Sequence, residues 1–367
     1  SQTVPLRPGF FSWRLKMKIL EDSGYLNIPE IRKYQEERNL VYCWIWGGRG
    51  IGKTYGALQE SLKRNEKFIF LRRTKTQTDL ITNERFMPFK SLNADLGTNI
   101  KPKTIGNGMY GFFHMVRNEK GKEEPDGPEI GIAMPVSTSG NIRGYDGSDV
   151  SFVIYDEFIP LKNERPIKGE ADLLFNTLET IGRNRELQGR PPLYFMGLSN
   201  SNNVDNPYFL ELNLVNRALK MSLADDNQIY EDRRRGLLLI CINKSPISEK
   251  KKQTSLYSLT AGSDFSKMAL NNEFVNVDRS SIKSRDLKHY DPFVTIGGIC
   301  IYKHKSGPGR YYVSEHIKGN PPAFTTSEID IDRFRRKYWM LFDAYMNDNI
   351  EFENHLTEYL FQLYNRL

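Results

Sequence analysis

The chain has 367 residues, 39% of them hydrophobic and 26% charged, enough for an ordinary buried core and for division into one large and one smaller domain. An aromatic content of 12% excludes a disordered chain, and three widely spaced cysteines exclude both a disulfide framework and a cysteine zinc site, so a reducing compartment is expected. A net charge of +7 favours an acidic partner, nucleic acid first. Arg7, Arg14, Lys16 and Lys18 interrupt the first apolar stretch and no later apolar run approaches membrane-spanning length, so neither a signal peptide nor a membrane anchor is expected.

Residues 28–39 read as a charged helix, with Tyr34 and Gln35 as candidate contacts for an adenine ring. The apolar run Leu40 to Trp46 then leads directly into Gly47, Gly48, Arg49, Gly50, Ile51, Gly52, Lys53 and Thr54, which spell G-x-x-x-x-G-K-T. A buried strand ending in glycines turns tightly into a helix and aims several backbone N–H groups at one point, which suits a polyphosphate. Lys53 supplies a mobile charge for the β and γ phosphates, and the Thr54 hydroxyl suits a Mg²⁺ held between them. These eight residues are the nucleotide-binding candidates, and ATP with Mg²⁺ is the expected pair.

Lys67 to Leu71 is a short strand ending in Arg72-Arg73-Thr74-Lys75, a basic edge able to face phosphate, DNA or solvent. Alternating polar and apolar residues from 97 to 135 predict a small antiparallel insert. Val150 to Phe158 is a second buried strand, delivering Asp156 and Glu157 at its carboxyl end. Asp156 suits a metal ligand and Glu157 a group that orients and polarises water, a pairing that leans toward hydrolysis rather than transfer to a substrate hydroxyl. Residues 171–185 form an amphipathic helix closing in Arg183-Asn184-Arg185. The next strand ends in Ser199-Asn200, positioned to respond to the γ-phosphate, and Gly236 to Asn243 completes the sheet. The polar stretch 244–254 marks the start of a linker. Beyond it, Phe293 to Tyr302 and Arg310 to Ile317 read as two strands, followed by a basic helix with Arg333, Arg335, Arg336 and Lys337 and an aromatic-rich last helix. Five scattered histidines argue against a histidine metal cluster.

Gly47 to Thr54, the Arg72-Arg73 edge, Val153 to Phe158, Arg183-Asn-Arg-Glu186 and Leu198-Ser-Asn200 followed by Asn206-Pro-Tyr-Phe-Leu210 together resemble the DNA encapsidation (genome packaging) ATPases of φ29-like tailed bacteriophages, which are terminase-like. Met268 to Phe274 is similar as well. The resemblance implies an α/β fold: an ASCE P-loop ATPase domain with a mostly parallel sheet over 1–245, a linker over 246–280 and a small ribonuclease H-like α/β domain over 281–367. It implies an ATP-driven motor that moves double-stranded DNA into a preformed prohead, working as a homopentameric ring on the portal (connector) in the bacterial host cytoplasm, with a structural packaging RNA in some relatives. Lys53, Glu157, Arg183 and Asn200 are the catalytic candidates and Thr54 and Asp156 the metal ligands. Arg183 matches the family's arginine finger, expected to act on a neighbouring subunit, with Arg143 as second candidate. The DNA-gripping residues are not legible. Phe293 to Tyr302 contains no acid and Glu315 is the sole acid on the following stretch, so a nuclease is not expected there. Another ring-forming P-loop translocase or helicase is the runner-up reading; a small-molecule kinase and a nucleotide-fixed binding module are the others.

Overall fold

The computed structural model describes residues 17–106, 108–138, 145–160, 164, 167–200, 203–204, 206–260, 281–307 and 309–365. Arg143 and the 268–274 stretch therefore lie outside the described residues.

The first ten strands are β1 (Tyr42–Gly47), β2 (Phe68–Arg72), β3 (Ile100–Gly106), β4 (Met109–Arg117), β5 (Glu123–Pro125), β6 (Gly131–Pro135), β7 (Phe152–Asp156), β8 (Tyr194–Ser199), β9 (Gln228–Asp232) and β10 (Leu237–Ile242). They form one sheet in the order β3-β4-β6-β2-β7-β8-β1-β10-β9, with β5 paired to β4. From β6 to β10 along that order every pairing is parallel. Parallel strands are covered on both faces, so they read as nearly unbroken apolar runs, and β1 does so. Its side chains alternate between two cores. Trp44 and Trp46 pack with Leu174, Leu178, Tyr208 and Phe209, and Cys43 and Ile45 pack with Ile28, Ile31, Ala57 and Leu58.

The covering helices are α1 (Ile28–Arg38), α2 (Lys53–Lys63), α3 (Lys75–Asp79), α4 (Lys90–Leu96), α5 (Glu170–Gly182), α6 (Pro207–Glu211), α7 (Val215–Ser222), α8 (Pro246–Lys251) and α9 (Ser255–Leu259). The chain accounts for their ends. Asn27 accepts from Glu30 N at the start of α1, and Asn39, in the left-handed region at φ 54°, stops it. Asn206 caps α6 by accepting from Phe209 N at 3.0 Å, with Pro207 in the first turn. The mostly parallel α/β sheet of the expected fold class is thus present.

A second sheet, in the order β14-β11-β12-β13-β15, is built from β11 (Tyr290–Ile296), β12 (Ile299–His304), β13 (Tyr311–Ser314), β14 (Ala323–Phe324) and β15 (Ile350–Phe352). Helices α10 (Glu328–Lys337), α11 (Met340–Met346) and α12 (His355–Asn365) accompany it. Its core gathers Val294, Ile296, Ile301, Val313, Phe334 and Phe361.

Four readings of the sequence need correction here. The segment 293–302 is not one strand but a hairpin, because Gly297 and Gly298 both take positive φ, 53° and 89°, as a two-residue turn between antiparallel strands requires. Strand β6 pairs antiparallel with β4 but parallel with β2, so it belongs to the main sheet rather than to the insert alone. Strand β9 adds an antiparallel edge beyond β10, so β10 does not complete the sheet. The polar stretch after residue 244 carries α8, which packs beside the phosphate loop; its first residues are not a linker.

Candidate active site

Strand β8 lies between β1 and β7, so the carboxyl ends of β1, β8 and β7 bring Gly47 to Thr54, Ser199-Asn200 and Asp156-Glu157 to one edge of the sheet. Gly47, Gly48, Gly50 and Gly52 have φ of 94°, 49°, 71° and 77°, a backbone that residues with a Cβ rarely adopt. Gly52 is the left-handed residue from which α2 starts, and α2 begins with Lys53. The turn thus points the unbonded N–H groups of a helix start along the strand direction.

Lys53 is buried, and its Nζ donates to Gly47 O and Gly48 O, 2.6 Å each. Burial lowers its ammonium to about 8, against the opposing pull of Glu157 and Asp156. Thr54 Oγ1 donates to Asp156 Oδ1 at 2.5 Å, and Arg72 Nη2 lies 2.8 Å from Asp156 Oδ2. A hydroxyl and a carboxylate oxygen in contact form the hard-oxygen set that Mg²⁺ takes, so the residues present fit that ion.

Glu157 follows at φ 56°, a conformation uncommon for a residue with a Cβ and one that turns its carboxylate out of the strand direction. The Asn200 side-chain amide donates to Glu157 Oε1, and Asn200 N donates to Oε2 at 3.2 Å. Burial and then the Asp156 carboxylate push the Glu157 carboxyl above the usual range. Ser199-Asn200 is expected from the sequence to respond to the γ-phosphate; in the structure Asn200 binds Glu157 and fixes its carboxylate.

The basic edge after β2 divides. Arg72 reaches Asp156, whereas Arg73 is buried and binds Glu170 bidentately, Nε to Oε1 at 2.6 Å and Nη2 to Oε2 at 2.8 Å, with Glu164 at 3.0 Å from Nη1. Tyr208 donates to Glu170 Oε1 at 3.0 Å and shares a 2.6 Å hydrogen bond with Tyr155. Arg73 therefore faces neither solvent, DNA nor phosphate. Acids 91 and 97 residues away in the chain claim it.

Tyr34 and Gln35 do not serve the adenine role. Because α1 runs back along β1, Gln35 lies at the strand's amino end, donating to Leu40 O at 2.9 Å and Val41 O at 3.3 Å, and Tyr34 donates to Glu231. Arg183 is also at that opposite edge. It follows α5 at φ 44° and its Nη2 donates to Tyr145 O at 2.6 Å. Arg183 also lines a cavity of about 460 Å³ whose walls include Tyr42, Leu178, Leu193 and Leu237, toward the amino end of β1. The five residue steps of β1 alone separate the two edges by about 17 Å. Arg185 is spent on Val150 O at 2.7 Å and Ser148 O at 3.2 Å.

Residues 20–297 match the family model for the podovirus DNA encapsidation protein (Gp16). The chain belongs to that family. The chain is 26% identical over 342 residues to the DNA packaging protein of Bacillus phage B103, covering 86% of this chain and 94% of the other. It is 25% identical over 352 residues to that of Bacillus phage phi29, covering 91% and 95%. Among solved structures it is similar to a chain of the bacteriophage Phi-29 viral genome packaging motor assembly, with a TM-score of 0.62 at 22% identity over 94% of this chain and 99% of the other. It is also similar to the Phi-28 gp11 DNA packaging motor, with a TM-score of 0.60 at 22% identity over 91% and 96%. These likenesses extend across the second sheet as well as the first. Among the described residues no helix is long and apolar enough to cross a membrane.

Proposed function

We propose that this encapsidation protein hydrolyses ATP to move double-stranded DNA into a viral prohead. The observation that carries the reading is the convergence of Lys53, Thr54, Asp156, Glu157 and Asn200 on one sheet edge in a chain of this family. Lys53 and the loop's N–H groups hold the β and γ phosphates. Thr54 and Asp156 would hold Mg²⁺, which when bound neutralises phosphate charge. Glu157, fixed by Asn200, orients water toward the γ-phosphate and accepts its proton. The test is whether ATP turnover rises with double-stranded DNA and empty proheads. Stimulation by single strands alone would favour the helicase reading, and transfer to a hydroxyl would favour a kinase.

The finer assembly follows from the same reading. Subunits form a ring, pentameric as in the family's expected pattern, on the prohead portal in the host cytoplasm, with a packaging RNA as a further candidate component. Arg183 completes a neighbour's site, which agrees with its distance from its own loop. Residues 281–367 serve as a nuclease-like docking or DNA-binding module without cleavage. Three of their acids are already engaged: Glu351 by Arg285 and Lys283, Glu315 by Asn354 at 2.9 Å, and Asp291 by Lys305 at 3.7 Å. Arg333, Arg336 and Lys337 of α10 are exposed. Plasmid incubated with the protein in Mn²⁺ should stay intact, and nicking would overturn this part. Binding of duplex DNA should fall steeply as salt rises.

A further inference from the structure

Two segments distant in the chain hold the phosphate loop from outside. Leu26 N donates to Ile51 O at 2.9 Å, and Lys251, the last residue of α8, donates from Nζ to Arg49 O at 2.6 Å. Helix α8 is itself anchored: buried Ser245 accepts from Ile247 N at 3.2 Å and donates to Gly24 O at 3.0 Å. Lys251 is half-buried, and among the described residues it has no carboxylate partner, whereas its neighbour Lys252 is paired with Glu249 at 2.8 Å. The charges around Lys251 are cations. Burial and Arg49 hold its ammonium below the usual range.

Three cations, Arg49, Lys53 and Lys251, thus gather around one turn of backbone N–H groups. Like charges brought together in a partly desolvated place oppose one another, and an anion among them relieves that opposition. We propose that Lys251 is a nucleotide-phosphate ligand contributed by α8, and that phosphate in the loop thereby fixes α8. The proposal rests on the phosphate-loop reading above. It gives the run Glu249-Lys250-Lys251-Lys252 a role that composition alone assigned to a linker.

The test measures the Kd of a fluorescent ATP analogue for the full chain and for its Lys251→Gln, Lys251→Arg and Lys53→Ala variants. Melting without nucleotide and hydrogen exchange over residues 246–252 accompany it. Lys251→Gln should weaken binding roughly tenfold, the size of one charge-assisted hydrogen bond, without lowering the nucleotide-free melting temperature. Lys251→Arg should bind nearly as the parent does. Nucleotide should slow exchange in 246–252 of the parent and not of Lys251→Gln. Unchanged affinity in Lys251→Gln, with binding lost in Lys53→Ala, overturns the Lys251 role alone. Unchanged affinity in Lys53→Ala overturns the loop reading beneath it. Weakened binding together with a lowered nucleotide-free melting temperature marks Lys251 as mere loop support and overturns the proposal. Exchange in 246–252 that ignores nucleotide overturns the coupling to α8.

Discussion

Glu157 and Lys53 occupy one edge of one sheet but are perturbed in opposite senses, which separates what their variants should do. Glu157→Gln keeps the shape and one of the two Asn200 contacts, since the amide nitrogen cannot accept, while losing the base, so ATP should remain bound and turnover should fall by about 10² to 10⁴. Lys53→Ala should lose binding as well. Equilibrium binding measured beside steady-state turnover checks both, and equal loss of affinity in the two variants would contradict the roles. The raised Glu157 carboxyl also places the acid limb of the kcat/KM profile above the ordinary glutamate range. For Lys53 the sign runs the other way. Its folded value of about 8 lies below the ordinary lysine value of 10.5, so between these the unfolded chain holds more protons. The burial penalty is complete below about 8, and stability from this group rises with pH through that window. Phosphate favours the charged form, so nucleotide binding near pH 9 should take up protons. Calorimetry in buffers of different ionisation enthalpy reads this directly; a buffer-independent enthalpy would refute the assignment.

At the scale of elements, the buried Arg73–Glu170 pair joins β2 to the start of α5. Glu170→Ala leaves a buried guanidinium without its bidentate partner and should cost about 3 to 5 kcal/mol, whereas replacing both by apolar residues should cost much less. Urea denaturation of the single and double variants decides it; a double loss equal to the sum of the singles would remove the pair from the account. This pair also marks where sequence reading stops. The loop at Gly47 to Thr54 and the strand bearing Asp156-Glu157 were legible because spacing and apolar runs are local. Arg73 sits in a basic cluster that looks solvated until the fold delivers Glu170. Strand β9 was missed since Gln228 to Asp232 is half-buried throughout and shows no alternation. Helix α8 was missed because its polar composition conceals a cap at Ser245 and one lysine aimed at a distant loop. Gly297-Gly298 was readable as a hairpin turn, and an unbroken apolar run around it obscured the signal.

At the scale of the whole molecule, the nucleotide edge and Arg183 are on opposite sides of the sheet. Mixing Arg183→Ala chains with Glu157→Gln chains should therefore restore hydrolysis where an intact arginine meets an intact loop, although neither variant is active alone. A guanidinium delivered to the departing phosphoryl group is worth about 10³ to 10⁵ in rate. Assembled mixtures that stay inactive at every ratio would count against the assignment.

The route between the two edges is α5, whose thirteen residues make a rod about 20 Å long. Its first residue, Glu170, is clamped beside Tyr155, which immediately precedes Asp156, and the rod ends at Arg183. A subunit with unlike front and back joins its copies head to tail, and such contacts have a sense of rotation. In the proposed ring, strain arising behind one nucleotide would pass along this rod to the neighbour that Arg183 faces, and the subunit on the other side has no such rod to it from this chain. Handedness in the order of events around a circle of identical chains would then be a property of each chain, present before any circle closes.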